Sequence, residues 1–125
     1  MIDHVSIPVR DLAAAARFYE TVLAPLGMTR LETRPATVGF GKSYAEFWLN
    51  LRKDMISPGN GAHVCLRART TEAVDAFHAA ALAAGGASDG APALRPQHGE
   101  SYYAAFIRDA DGNRVEAVNF VVEQR

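Results

Sequence analysis

The sequence predicts an α+β fold in which two βαβββ modules, about residues 1–55 and 60–125 of a single domain spanning 1–125, form a cupped, partly closed mixed sheet. Three observations predict it. Residues 3–27 align without gaps with residues 62–86, and the identities include His4/His63, Val5/Val64, Arg10/Arg69, Phe18/Phe77, Leu23/Leu82 and Gly27/Gly86. Such a repeat means that one supersecondary unit is used twice. Each copy opens on a short alternating strand that runs into an alanine-rich stretch of helical period. The chain closes on two strand-like runs, YYAAFIRD and RVEAVNFV, joined by DADGN, whose Asp, Gly and Asn are hairpin-turn residues.

In chain order, HVSIPV is the first strand and Asp11 caps a helix over LAAAARFYETVLAPL, with Leu12, Ala15, Phe18, Tyr19 and Val22 as its apolar stripe. Gly27 stands where that helix must stop. TRLET, TVGFG and YAEFWLNLR are the next three strands, and KDMISPGNG, residues 53–61, is a short Pro/Gly connector. HVCLRA then restarts the pattern. Thr70 or Thr71 caps EAVDAFHAAALAA, whose stripe is Val74, Phe77, Ala81 and Leu82, and Gly85-Gly86 ends it. SDGAPALRPQHGES reads as a loop before the closing hairpin.

Composition narrows the function classes. The formal net charge is −1, so no basic surface points to nucleic acid or to an anionic membrane. No apolar run approaches the length of a membrane span, and the N-terminal MIDHVSIPVRD lacks the basic start and long apolar middle of a signal peptide. Cys65 is the one cysteine, which suits a reducing cytoplasm. A cytoplasmic protein acting on a small molecule is the expectation.

The period of two along a strand locates the chemistry. His4, Ser6 and Pro8 share one face of the first strand, and His63, Cys65 and Arg67 share the equivalent face of its repeat. The apolar residues between them belong under the helices, so both histidine faces turn away from the helices. Glu116 is a carboxylate in an otherwise apolar last strand, where burial is costly unless it is paired, protonated or metal-bound. Two imidazoles and a carboxylate suit a divalent first-row metal and leave positions open for water and substrate.

DHVSIPVRDLAAAARFYETVLAPLG, the second start GAHVCL and the ending YYAAFIRDADGNRVEAV resemble the vicinal oxygen chelate superfamily, which includes glyoxalase I, extradiol dioxygenases, fosfomycin-modifying thiol transferases and bleomycin-binding proteins. LAPLG, FWL, FHAAALAAGG, LRP and YYAAF are similar to a subgroup of it without an assigned reaction. The resemblance implies a glyoxalase-like domain with metal ligands at His4, His63 and Glu116, and a homodimer whose sites borrow ligands across the interface. Glyoxalase I enzymes usually carry a fourth protein ligand; here Trp48 stands at that place, with Glu46 two residues away on the same face.

The remaining candidates surround that triad. Trp48 and Arg67 are assigned to substrate binding, the first as a stacking ring and the second as a cation. Tyr102 and Tyr103 point to opposite faces, so only one can line the cavity; Tyr103 is assigned to it. His98 lies in a loop that can cover the cavity, where a proton shuttle can sit. Cys65 reads as a small buried residue. The leading expectation is a glyoxalase-like metal-dependent enzyme, of lyase or isomerase type, in which Zn, Ni, Mn or Fe on His4, His63 and Glu116 chelates a substrate through neighbouring oxygens and Glu116 is catalytic. The alternatives are a metal-free small-molecule binding protein of the bleomycin-resistance kind, or a thiol transferase or dioxygenase on the same fold.

Overall fold

A computed structural model describes residues 1–56 and 63–121. Its elements are β1 (Val5–Val9), α1 (Leu12–Leu23), a 3-10 turn (Ala24–Leu26), β2 (Thr29–Thr33), β3 (Thr37–Gly41), β4 (Phe47–Leu51), β5 (His63–Arg67), α2 (Thr71–Ala83), β6 (Ala87–Leu94), β7 (Tyr102–Arg108) and β8 (Arg114–Phe120). The βαβββ order therefore occurs twice. The connector read over 53–61 lies outside the described residues from 57 onward.

Two four-stranded mixed sheets result, in the orders β1-β4-β3-β2 and β5-β8-β7-β6. They do not close into one sheet. In each, the first strand runs parallel to the last and the other pairs are antiparallel. The register repeats as well: Ser6 stands beside Trp48 as its equivalent Cys65 stands beside Glu116. Trp48 thus occupies in the first sheet the place that Glu116 holds in the second.

The helices follow from local chemistry. Asp11 accepts the Ala14 N–H at 3.0 Å, and Thr70 Oγ1 accepts the Ala73 N–H at 3.0 Å, so each side chain satisfies one N–H that the first turn leaves unpaired. Thr70, not Thr71, is the second cap. The first helix stops at Leu23, three residues short of the predicted end at Leu26. Pro25 has no N–H to continue an α-helical ladder, and the chain tightens into a 3-10 turn that Gly27 closes at φ 81°.

One apolar core joins the modules. It contains Tyr19, Val22 and Leu23 of α1, Phe40, Phe47 and Leu49 of the first sheet, Phe77 and Ala81 of α2, and Ile107, Val115 and Ala117 of the second sheet. Leu82, predicted in the apolar stripe, is exposed instead. The helices also touch each other, and a polar clamp runs beside them. Tyr19 donates its hydroxyl to Asp109 Oδ2 at 2.7 Å, Asn113 Nδ2 donates to the Pro8 carbonyl at 2.9 Å, and Arg10 donates from its backbone N and its Nε to Asp111 Oδ1 at 3.1 and 3.0 Å. The closing hairpin turn is therefore also the fastening of module two onto module one.

The stretch SDGAPALRPQHGES, predicted as a loop, is in part a strand. Its first half, with Ala87, forms β6, which pairs with β7 through register shifts at Ser88/Gly90 and Gly90/Ala93. Gly and Pro weaken the strand signal, but bulges absorb the mismatch and the neighbouring β7 supplies hydrogen-bond partners that no local pattern reveals. The fourth strand is shorter than YAEFWLNLR, because residues before Phe47 turn back so that the Glu46 N–H donates to the Phe40 carbonyl at 2.9 Å.

Candidate functional site

The alternation predicted for β1 and β5 is present. Ile7 and Val9 are buried and Val5 packs on the core, while Ser6 is exposed; in β5 Val64 and Leu66 pack on the core while His63, Cys65 and Arg67 are exposed. Both histidines therefore lie on the face away from the helices.

Glu116 is the centre of the second sheet's open face. Only 2% of its surface is exposed, although it stands among apolar neighbours in β8. His63 Nε2 lies 2.8 Å from Oε1, and the Tyr102 hydroxyl donates to Oε2. Strand register explains the meeting: Glu116 is opposite Cys65 in parallel β5 and opposite Phe106 in antiparallel β7. Tyr102 is held well above the ordinary phenol range, first by burial and then by its hydrogen bond to Glu116, so it stays a donor.

Cys65 Sγ lies 3.8 Å from the Tyr102 hydroxyl. The residue keeps part of its surface exposed, contrary to the buried position expected. Burial of the sulfur first, and then the Glu116 carboxylate, push its thiol up to about 11. The thiol therefore stays protonated at neutral and mildly alkaline pH. Alkylation by iodoacetamide is expected to be far slower than for a free thiol, and Glu116→Gln should accelerate it several-fold. An unchanged rate in that variant would show that the carboxylate does not govern the thiol.

The predicted triad does not converge within one chain. His4 belongs to the first sheet, where its Nδ1 meets Asp3 at 2.8 Å. It lines a cavity of about 420 Å³ with Ser6, Trp48 and Asn50, and a groove that also holds Glu46, Cys65 and Arg67. His63 lines a different cavity of about 450 Å³ on the second sheet, with Arg95, His98 and Phe106. Among the described residues no group of three or more His, Cys, Asp or Glu side chains is placed to hold a metal ion. The physical reason is that the sheets remain two: repeat-equivalent strands sit on separate sheets instead of facing one cup.

The other candidates divide in the same way. Trp48 lies under the Arg34 guanidinium, 4.9 Å from the ring centroid. Arg67 stacks on Phe120 at 4.8 Å. His98 does approach the second-sheet cluster, its ring centroid 5.2 Å from that of Tyr102. Tyr103 points to the helix side, where its hydroxyl donates to Asp75 of α2 at 2.6 Å. The tyrosine on the open face is thus Tyr102. Only the pairing of β7 with β8, Tyr102 opposite Phe120 and Phe106 opposite Glu116, decides between them. Arg95 of the cavity wall lies in the LRP phrase that the resemblance rests on, but nothing in the sequence places it beside His63.

The family model described as the Glyoxalase/Bleomycin resistance protein/Dioxygenase superfamily matches residues 1–117. A glyoxalase/bleomycin resistance protein from Albidiferax ferrireducens is similar at 29% identity and a TM-score of 0.83, over 95% of this chain and 98% of that one. A glyoxalase/bleomycin resistance protein/dioxygenase family enzyme from Burkholderia phytofirmans has 24% identity and a TM-score of 0.75, over 95% and 98% of the two chains. A glyoxalase-related enzyme from Fulvimarina pelagi has 19% identity and a TM-score of 0.75, over 95% and 87%. The last two show likeness of fold alone. No curated protein matches the chain.

Proposed function

The chain belongs to the Glyoxalase/Bleomycin resistance protein/Dioxygenase superfamily, and from that premise we propose a metal-dependent enzyme of lyase or isomerase type acting on a small molecule with two neighbouring oxygens. The observation that carries the reading is Glu116, a nearly fully buried carboxylate with His63 Nε2 at 2.8 Å from Oε1. A buried charge of this kind is retained at a cost unless it does something there.

The donors fit a divalent ion in part. Nitrogen and carboxylate ligands lie about 2.1 Å from such an ion, so two of them sharing it stand roughly 3 Å apart, close to the separation of His63 Nε2 and Glu116 Oε1. Both sit on strands, on rigid backbone, with Tyr102 fixing the other carboxylate oxygen. A metal there, as Zn, Ni, Mn or Fe, would supply Lewis-acid polarisation of the substrate oxygens. The protein's own part is to orient Glu116, to keep Tyr102 protonated as a donor to it, and to leave His98 at the rim of the cavity.

His4 joins this site from a second copy in our reading. A two-fold homodimer that sets the first sheet of one copy against the second sheet of the other brings His4, with Trp48 in place of a fourth ligand, toward His63 and Glu116. No helix among the described residues is long and apolar enough to cross a membrane, and we place the enzyme in the cytoplasm.

Metal content of protein purified without added metal or a chelating tag tests the proposal. Stoichiometric metal in the wild type, reduced at least tenfold in His63→Ala and in Glu116→Ala, is the expected result. Wild type that stays empty through titration with Zn, Ni, Mn and Fe would overturn it. The second reading, a metal-free binding protein, is favoured by the Arg34-covered Trp48 ring beside an open 420 Å³ cavity. It predicts quenching of Trp48 fluorescence by small aromatic compounds in chelator-treated protein.

A further inference from the structure

We propose that the second-sheet cavity recognises a small organic anion, a carboxylate or phosphonate on a flat body, and that Arg95 is the residue that binds its charge. This deepens the function proposed above, on which it rests only for the claim that the bound anion is a substrate.

Arg95 is built into place. Its backbone N donates to the Tyr102 carbonyl at 2.7 Å, which anchors it at the end of the β6–β7 pairing. Its guanidinium lies over the Phe106 ring, 5.3 Å from the centroid, and Nη2 donates to the Ala91 carbonyl. Gly90 makes this packing possible: a Cβ there would stand 2.8 Å from Phe106 Cδ1 and 3.2 Å from Arg95 Nη2. A guanidinium immobilised on an aromatic face has already lost the side-chain freedom that anion binding would otherwise cost.

Its charge is also uncompensated. Among the described residues, Asp89 is the one carboxylate lining this cavity. It meets Arg108 Nε at 3.3 Å and Arg114 Nε at 3.6 Å, so two cations already share it. Arg95 forms no ion pair among the described residues, and its Nε–H is buried without an acceptor. A guanidinium carries a fixed positive charge and N–H donors suited to carboxylate and phosphonate oxygens. The same cavity is floored by Phe106, whose ring centroid is 6.3 Å from that of His63, and flanked by His98. Flat rings in a cavity where cations outnumber carboxylates favour a flat anion, and its charge would be fixed at Arg95, in the same cavity as His63.

Proton–nitrogen NMR titration of chelator-treated protein tests this, with benzoate and phenylphosphonate as probes and benzamide as the uncharged control. Saturable shifts of the Arg95 Nε–Hε and Phe106 signals are expected with at least one anion. Benzamide should bind at least tenfold more weakly. Arg95→Gln should weaken anion binding at least tenfold, Arg95→Lys by less, and Arg17→Gln on the far helix not at all. The tighter of the two anions identifies the headgroup. Equal binding of benzoate and benzamide, shifts confined to another surface, or undiminished binding by Arg95→Gln would overturn the proposal; the first two need no variant. Because metal is excluded, anion binding by a protein that never takes metal would leave this inference standing while the metal reading falls. A metal-loaded protein blind to both anions would do the reverse.

Discussion

Asp109→Ala is expected to lower folding stability by about 4 kcal/mol, the upper range for a single substitution. Asp109 is buried, and both its oxygens are fully used. Oδ1 accepts the backbone N–H groups of Asp111 at 2.9 Å and Asn113 at 2.8 Å; Oδ2 accepts the Tyr19 hydroxyl at 2.7 Å and Asn113 Nδ2 at 2.8 Å. Alanine strands all of these donors at once, in the turn that fastens the second module to the first. Urea denaturation of wild type, Asp109→Ala and Tyr19→Phe measures the effect, with Tyr19→Phe costing about 1 kcal/mol because it removes one bond and its donor together. A loss below 1 kcal/mol for Asp109→Ala would show that the clamp does not hold the modules.

The same residue sets a pH dependence. Burial raises the Asp109 carboxyl above its reference value of 3.8, against the lowering pull of the bonds from Asn113 and Tyr19. With the folded value above the unfolded one, the folded state keeps a proton that the unfolded chain has lost throughout the interval between them. Stability contributed by this group therefore falls as pH rises through that interval and is greatest below the unfolded value. Relative to Asp109→Asn, wild type should gain stability as pH is lowered from neutral toward 4, then level off. Parallel curves would refute the assignment.

Gly41→Ala is the second large effect, expected at about 3 kcal/mol or more. A Cβ at Gly41 would overlap the Tyr44 carbonyl oxygen, lie 2.8 Å from the Tyr44 carbonyl carbon and 3.3 Å from Ala45 Cα. Every one of those atoms is backbone, so no rotamer change relieves the clash and the turn into β4 must move. β4 carries Phe47 into the core and Trp48 onto the open face, so the variant should lose stability and change the emission of the single tryptophan. A variant with wild-type urea midpoint and emission would show that the turn has room the structure does not display.

The repeat was legible because the two copies solve the same packing problem. His4 and His63 recur because equivalent strands alternate about equivalent helices, and Asp11 and Thr70 recur as caps because each helix leaves the same N–H groups unpaired. Glu116 stood out as a charge in an apolar strand. β6 was hidden because its stability comes from β7 and not from its own Gly- and Pro-containing residues. Arg95 stood in the LRP phrase, but its place was hidden because it depends on Phe106 and on the missing Cβ of Gly90.

The sequence by itself determined the doubled βαβββ order and the faces on which His4, His63 and Glu116 lie. These depend on periods of two and of 3.6 residues, which are local properties of the chain. Only the tertiary structure decided that Tyr102 and not Tyr103 reaches Glu116, that Asp109 clamps the modules, that Arg95 stands over Phe106, and that His4 and His63 open on separate sheets. Those outcomes depend on strand register and on how two helix-backed sheets pack, and contacts between residues distant in sequence set both.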